Sequence, residues 1–481
     1  MADTSSEPTI NETDRARPSR SGLATFFRSP AVKMVLIGFI SLLLIIPCTF
    51  VWVLVEERAD RAREVSNDIA GSWGESQTIN GPYLVVPFTE TKLITRKDKK
   101  DDTYKQERAV WHRKAILFPE RLDLTGDVKV EERKKSIYTL PVYRSELSFS
   151  GRFGKAPDGM FEPKNGGRIE VAADKAVLVI GIRDVRALKS EVVLESGDRK
   201  LRFQPGLAGM RNPDPFQYMY KDSGQSSSGI HVRVEENDWR NGFAFKGDLA
   251  LNGSRSLRFA PAGQTSAIKL TSDWPHPGFS GAFLPDNRTI SETGFDADWS
   301  VPFLARGLPN VIEAESLPLG NQMLGVEFIE PVNFYQTISR SLKYAIGFIG
   351  LTFMAVFLLE VRSGWSMHWI QYGLVGMALI VFFVMLLAFA EHVGYTLAYL
   401  LAAAAATTLI ASYVGSTLRS WMSAIIMMLV IGAVYGTLFA IMREQDYALL
   451  IGSVIAFLAL AVTMFGTNRI NWSGAQAKQG A

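Results

Sequence analysis

The sequence predicts a multi-pass membrane protein, with six transmembrane α-helices and a large β-rich, antiparallel sandwich-like extracytoplasmic domain. Three observations carry this reading. Apolar residues are segregated into long uncharged runs, at 34–55 and repeatedly after Tyr344. Between those runs, period-two alternation recurs in a stretch of ordinary soluble composition. Lys and Arg gather in one set of short flanks. The 481 residues, 47% hydrophobic and 21% charged, leave room for two or three structural units.

The spans come first. At about 1.5 Å rise per residue, about 20 apolar residues cross a hydrocarbon core of about 30 Å. Residues 34–55 meet this without a charge, and membrane helices tolerate the internal Pro47. The run is long for a signal-peptide core, and Glu56, Glu57 and Arg58 follow it in place of a small-residue cleavage site, so it reads as an uncleaved signal anchor. Five further runs, 344–359, 370–390, 395–414, 422–441 and 448–465, form one block joined by short loops. Buried helices of a soluble core do not cluster in this way.

Orientation follows from basic flanks. Arg15, Arg17, Arg20, Arg28 and Lys33 precede the first span. Six crossings bring Arg362, Arg419, Arg469 and Lys478 to that same side, whereas the opposite short loops hold Arg443 beside Glu444 and Asp446. Both termini are expected in the cytoplasm. The organisation is therefore a disordered cytoplasmic tail at 1–30, a signal-anchor helix at 31–56, a periplasmic β-rich domain at 57–340, a five-helix bundle at 341–468 and a cytoplasmic tail at 469–481. Trp52, Trp365, Trp369, Trp421 and Trp472 fall near the boundaries, where an indole keeps its apolar body in lipid and its N–H in water.

Within 57–340, Leu122, Leu124, Val128 and Val130 share one parity, as do Ile230, Val232 and Val234. Phe243 and Phe245, Leu249 and Leu251, Leu257 and Phe259, and Ile268 and Leu270 continue the pattern. Asn252-Gly253 and Pro261-Ala262-Gly263 are expected turns. The unbroken run 177–182 suits a fully buried strand, and 56–69 a helical extension of the first span. The charge-dense 95–108 reads as a solvated hairpin loop, and 223–229 as a Gly/Ser loop. A region of this length also allows two β subdomains.

Composition excludes some chemistry. Cys48 is the single cysteine, so no internal disulfide can form. His112, His231, His276, His368 and His392 are scattered and show no metal-ligand spacing, so no metal or cofactor is expected. A net charge of +3 without a basic cluster argues against nucleic acid. Asp273 and His276, in "DWPHPGFSGAFLP", are a candidate acid–base pair; the plainer reading is a rigid turn that packs Trp274, Phe279 and Phe283. No nucleophile elbow, zinc-protease or phosphate-loop motif accompanies them. Glu391 and His392 end the third span and Glu360 the second, all at the membrane edge, where a relay is less natural than at the midplane. Gly432-x-x-x-Gly436 and the alanine run 402–406 read as packing surfaces.

Several blocks together resemble one family. They are "EERAD" after the first span, "GPYLVVPFTE" at 81–90, "VEERKKSIY" at 130–138, "TSDWPHPGFSGAFLPDNRTISETGFDADW" at 271–299, "YAIGFIGLTFMAVFLLE" at 344–360 and "LAFAEHVGYT" at 387–396. In this order they are similar to the CreD family of bacterial inner-membrane proteins, from about Ser29 to Trp472. The resemblance implies a role in cell-envelope integrity, linked to a two-component sensor system and to β-lactam and colicin responses. It supplies no catalytic residue. The leading expectation is thus a non-enzymatic envelope-maintenance protein whose partners are the lipid bilayer and other envelope proteins or components. A transporter or amphiphile-handling protein using Glu391 and His392 is the alternative, and a periplasmic enzyme at Asp273 and His276 the third. Ligand and oligomeric state stay open.

Overall fold

A computed structural model of the chain describes residues 30–97, 104–213, 228–329, 334–443 and 448–468. The expected tail at 1–30 except Pro30, which already starts a helix, the expected tail at 469–481, the tip of the 95–108 hairpin, most of the 223–229 loop and the acidic loop at 444–447 lie outside the described residues. The chain divides into two compact units, one formed within Arg61–Pro331 and one within Met1–Asp60 and Val332–Ala481.

The helical unit begins with α1 (Pro30–Leu43) and α2 (Ile45–Trp73). The break between them has a covalent cause. Pro47 has no N–H, and its ring crowds the carbonyl four residues back, that of Leu43. The chain stays helical through it: Leu44 N donates to Ile40 O at 3.0 Å and Cys48 N to Leu44 O at 3.2 Å. Beyond the apolar run, α2 continues to Trp73, past the expected extension at 56–69.

The β unit comprises β1 (Gln77–Lys97), β2 (Tyr104–Leu117), β3 (Arg121–Lys135), β4 (Tyr138–Phe153), β5 (Arg168–Val171), β6 (Val177–Ile182), β7 (Val193–Ser196), β8 (Arg199–Arg202), β9 (Gln204–Pro205) and β10 (Gly229–Arg233). The short helix α3 (Glu236–Asn241) leads to β11 (Phe243–Ser254), β12 (Ser256–Phe259), β13 (Thr265–Ser272), β14 (Pro277–Gly281), β15 (Asn287–Ser291) and β16 (Gly294–Val301). After α4 (Phe303–Arg306) come β17 (Val311–Glu313) and β18 (Leu324–Phe328). One sheet runs β14-β18-β12-β1-β6-β10-β9, with β2 and β5 on β1 and β17 on β2; the other runs β15-β16-β13-β3-β4-β11-β7-β8. Pairing is antiparallel except for β1 with β12 and β13 with β3.

One large hydrophobic cluster draws on both sheets, from Tyr83, Val179 and Leu257 to Leu147, Leu249 and Trp299, beside a small one at Ala70, Leu140 and Val142. Two separate β cores are therefore not built. Alternation does the work in β13 and β16, whose even and odd positions bury in turn, while β6 is buried at every residue because sheet neighbours and both faces cover it. A cavity of about 10 Å³ beside Pro82, Leu147 and Ile180 is at most a water's worth of space, so the core there is solid.

Two expected turns move. Asn252-Gly253 lies inside β11, where Gly253 lets the Tyr143 ring pack directly on the backbone; the chain bends just past the strand, at Arg255 with φ +60°, and passes from one sheet to the other. The 95–108 hairpin is longer in strand and shorter in loop, since β1 and β2 stay paired out to Lys97 and Tyr104.

The remaining helices are α5 (Phe334–Ser363), α6 (Trp369–Val393), α7 (Tyr395–Thr417), α8 (Trp421–Arg443) and α9 (Ala448–Thr467). Among the described residues five helices, counting α1 and α2 together, are long and apolar enough to cross a membrane: Val32–Trp73, Phe334–Ser363, Trp369–Val393, Tyr395–Thr417 and Trp421–Met442. The expected sixth is a shorter apolar helix, Leu450–Phe465. Their outer faces carry apolar side chains in the open, such as Phe50, Leu429 and Phe457, each about 70% exposed, as a lipid solvent requires. Gly432 and Gly436 do not bring helices together, since a Cβ on either would meet nothing within 4 Å. Close approach falls instead to Gly376, which receives Leu44, and to Gly415 against Ala424. Ala402 and Ala406 are buried, as packing predicts.

Candidate functional site: two charged clusters in the helical unit

Tertiary structure joins α1 and α2 to α5 and α6 at both ends. α5 and α6 are antiparallel neighbours linked by a short turn, and α6 starts at a capping box: His368 Nδ1 accepts from Ile370 N–H, and Gln371 Oε1 accepts from His368 N–H at 2.7 Å. This fixes the α5–α6 turn that positions Glu360.

At one end, Glu360 is 7% exposed. The Lys33 ammonium of α1 donates to its Oε1 and also to Met367 O at 2.7 Å. The Tyr372 hydroxyl of α6 donates to its other oxygen at 2.7 Å. The Lys33 Nζ lies 5.6 Å from the Tyr372 ring centroid, close enough for a cation–π contact. At the other end, the Glu391 side chain is 9% exposed, accepts from the Tyr335 hydroxyl at 3.2 Å and lies 4.0 Å from Arg58 Nη1. Nineteen residues of α6 separate Tyr372 from Glu391, about 28 Å at 1.5 Å per residue. That matches a hydrocarbon thickness of about 30 Å.

The two clusters share one design: a carboxylate, a tyrosine hydroxyl and a cation from the first helix. A buried carboxylate is tolerated only when paired and hydrogen-bonded. Between the ends, Leu44 fills the notch at Gly376. The arrangement can hold the first helix against α5 and α6; it exposes no free carboxylate for substrate chemistry.

The sequence-selected residues separate accordingly. Glu391 belongs to a cluster. His392, beside it, is exposed, with no ring partner among the described residues. Asp273 and His276 are both exposed and are not brought together. Asp273 accepts from Val130 N–H at 2.8 Å, closing β13 onto β3. The carbonyl of His276, not its ring, accepts from Trp274 Nε1 at 3.1 Å and from Ile329 N–H at 3.3 Å. Trp274, Phe279 and Phe283 pack on the core as the plainer reading expected.

Sequence reasoning missed the Lys33–Glu360 pair. Its signal was present, as opposite charges at the same expected boundary of the first two spans. It also missed two fully buried ionic groups in the β unit. Glu90 accepts from Asn165 N–H at 2.6 Å, from the Asn165 amide at 3.1 Å, from Gly167 N–H at 3.1 Å and from Arg113 at 2.9 Å. Burial acts to raise its pKa, but the Gly167 and Asn165 N–H groups, the Asn165 amide and Arg113 together hold it below the ordinary value. Arg113 also reaches Glu313 and stacks on Phe88. Arg306 is fully buried and donates to the carbonyls of Leu308 (2.9 Å), Pro309 (3.3 Å) and Ala262 (3.4 Å), with its guanidinium 4.0 Å from the Phe118 ring centroid. Burial pushes its pKa down. Among the described residues no group of three or more His, Cys, Asp or Glu side chains is placed to hold a metal ion.

These features meet a consistent set of relatives. The family model described as Inner membrane protein CreD matches residues 29–473. Inner membrane protein CreD of Escherichia coli (strain K12) is 32% identical over 440 residues, covering 90% of this chain and 91% of that protein. Neither match is to a known enzyme family. With several apolar helices and a large β-rich region, this chain belongs to the CreD family of inner membrane proteins.

Proposed function

We propose that this protein supports cell-envelope integrity and the envelope-stress and β-lactam response without acting as an enzyme. In this reading six helices cross the inner membrane, both termini are cytoplasmic, and the β unit is periplasmic, where it meets other envelope proteins or envelope components. The pairing of the two charged clusters supports it most. Each carboxylate is satisfied inside the protein, one hydrocarbon thickness apart, so the helical unit is built as a closed scaffold and not as a path for ions. The basic flanks support the orientation. The test is a deletion strain grown on β-lactams and detergents: raised sensitivity is expected, and unchanged sensitivity in several media overturns the role. For topology, alkaline phosphatase fused near residue 200 should be active, and activity of a cytosol-only reporter there overturns the placement.

A second reading, a transporter or amphiphile-handling protein, has its own support. α5, α8 and α9 enclose an apolar groove of about 460 Å³, within the ~300–1,000 Å³ range of small-molecule sites. Here Glu391→Ala or His392→Ala abolishes function at unchanged protein level, and wild-type behaviour of both variants removes the reading.

A further inference from the structure

The groove between α5, α8 and α9 has a chemical direction that its volume alone does not convey. Its lining includes Tyr344, Gly347 and Gly350 from α5, Ile441 from α8, and Gly452 and Leu460 from α9. A Cβ on Gly347, Gly350 or Gly452 would meet nothing within 4 Å. Glycine in a helix interior is destabilising relative to alanine. Membrane helices usually recover that by letting backbones touch. These three glycines make no such approach; they leave width. The lining is almost wholly apolar, and it belongs to helices whose outer faces are already apolar and exposed.

The groove is not symmetric along its length. Arg340, Tyr344, Gly347, Leu351 and Met354 follow one another at helical spacing on one face of α5, so Arg340 stands one turn beyond Tyr344 at the end of the groove. Lys343, next to Tyr344, is exposed. Among the described residues no carboxylate forms an ion pair with Arg340 or Lys343. This differs from Lys33 and Arg58, which each face a carboxylate. Basic side chains at the end of a spanning helix attract the anionic headgroups of the bilayer surface, an attraction that salt screens.

We propose that the groove holds an acyl chain of an anionic phospholipid, with the phosphate at Arg340 and Lys343. The two parts divide the recognition: the glycine-widened groove takes the chain of any phospholipid, and the cations choose the headgroup charge. The lipid is a resident component that fills the space between α5 and α9. The inference needs only that the helical unit lies in a bilayer, and it holds under either reading of function.

The test uses the full chain purified in mild detergent, titrated with phosphatidylglycerol or phosphatidylcholine, with bound lipid counted by native mass spectrometry and thermal unfolding followed in parallel. Wild type should prefer phosphatidylglycerol, and added salt should weaken that preference. Arg340→Gln combined with Lys343→Gln should reduce the preference on the order of tenfold while one phospholipid remains bound. Gly350→Leu, which grows a side chain into the groove, should lose both lipids while eluting as a monodisperse species. Equal binding of the two lipids by wild type overturns the proposal. So does a preference unchanged in the double charge variant. Wild-type lipid content in a folded Gly350→Leu protein removes the groove as the site. If Gly350→Leu does not fold, the charge variant, which leaves the packing intact, decides alone.

Discussion

In the helical unit, charge near the apolar spans gathers at the two ends, as in Lys33–Glu360 and Arg58–Glu391. In the β unit, Glu90 and Arg306 are buried outright in the body of the fold. The difference is one of available partners. A spanning helix spends its backbone N–H and C=O groups internally, so a carboxylate there must be met by side chains, which come from other helices. Loops of the β unit leave backbone groups free, and these satisfy both Glu90, through Asn165 and Gly167, and Arg306, through three carbonyls. Apolar surface shows the same contrast. Large side chains such as Leu429 face outward in the helices, while β13 alternates throughout and β16 from Phe295 onward.

The largest effect is expected at Glu360. Replacing it with Ala leaves Lys33 half-enclosed without its carboxylate, and the loss should be about 3 kcal/mol, at the lower end for a broken buried pair because Lys33 keeps some water contact. Thermal unfolding in detergent measures it. Adding Lys33→Met to Glu360→Ala should restore much of the stability; equal instability of the single and double variants would show that the pair is not what matters. Next in size is Gly376→Leu, which forces Leu44 out of its notch and should cost about 1–3 kcal/mol. Leu44→Ala in the same chain should relieve part of that, and a purely additive pair would separate the two residues.

Glu90 sharpens the β side of the comparison through pH. Its folded pKa lies below the ordinary value near 4.5, so its contribution is complete above about that pH and is lost as pH falls toward the folded value. The stability of wild type should therefore fall on acidification through this window, and Glu90→Gln should remove that component of the slope. Identical slopes in the two proteins would assign the acid sensitivity to other carboxylates. The smallest effect is expected at His276→Ala. The residue is exposed, its hydrogen bonds are made by the backbone and its ring contact is edge-on with Trp274, so stability should stay within about 0.5 kcal/mol.

Legibility followed the range of the interaction. Glu391 could be selected because it stands at the end of a span, and Trp274, Phe279 and Phe283 were assigned to the core because they flank a stiff proline pair. Glu90 could not be found in this way. It sits in an alternating strand, and its donors at 113, 165 and 167 are brought to it by the folding of β2 and a loop. Asn252-Gly253 misled for a related reason. The pair is a strong local turn signal, yet β4 pairs with β11 through Ser254, and the Tyr143 ring occupies the space that Gly253 leaves.

The amino-acid order by itself determined the apolar spans, the polar stretch between them and the preference for strands there. Each depends on transfer of side chains between water and an apolar medium, which a single window of sequence registers. Only the tertiary structure decided which charge meets which carboxylate, where two β1 neighbours run parallel and antiparallel, and that three unpacked glycines widen one groove. Those are contacts between residues far apart in the chain, and their energies exist only once the backbone has brought the groups together.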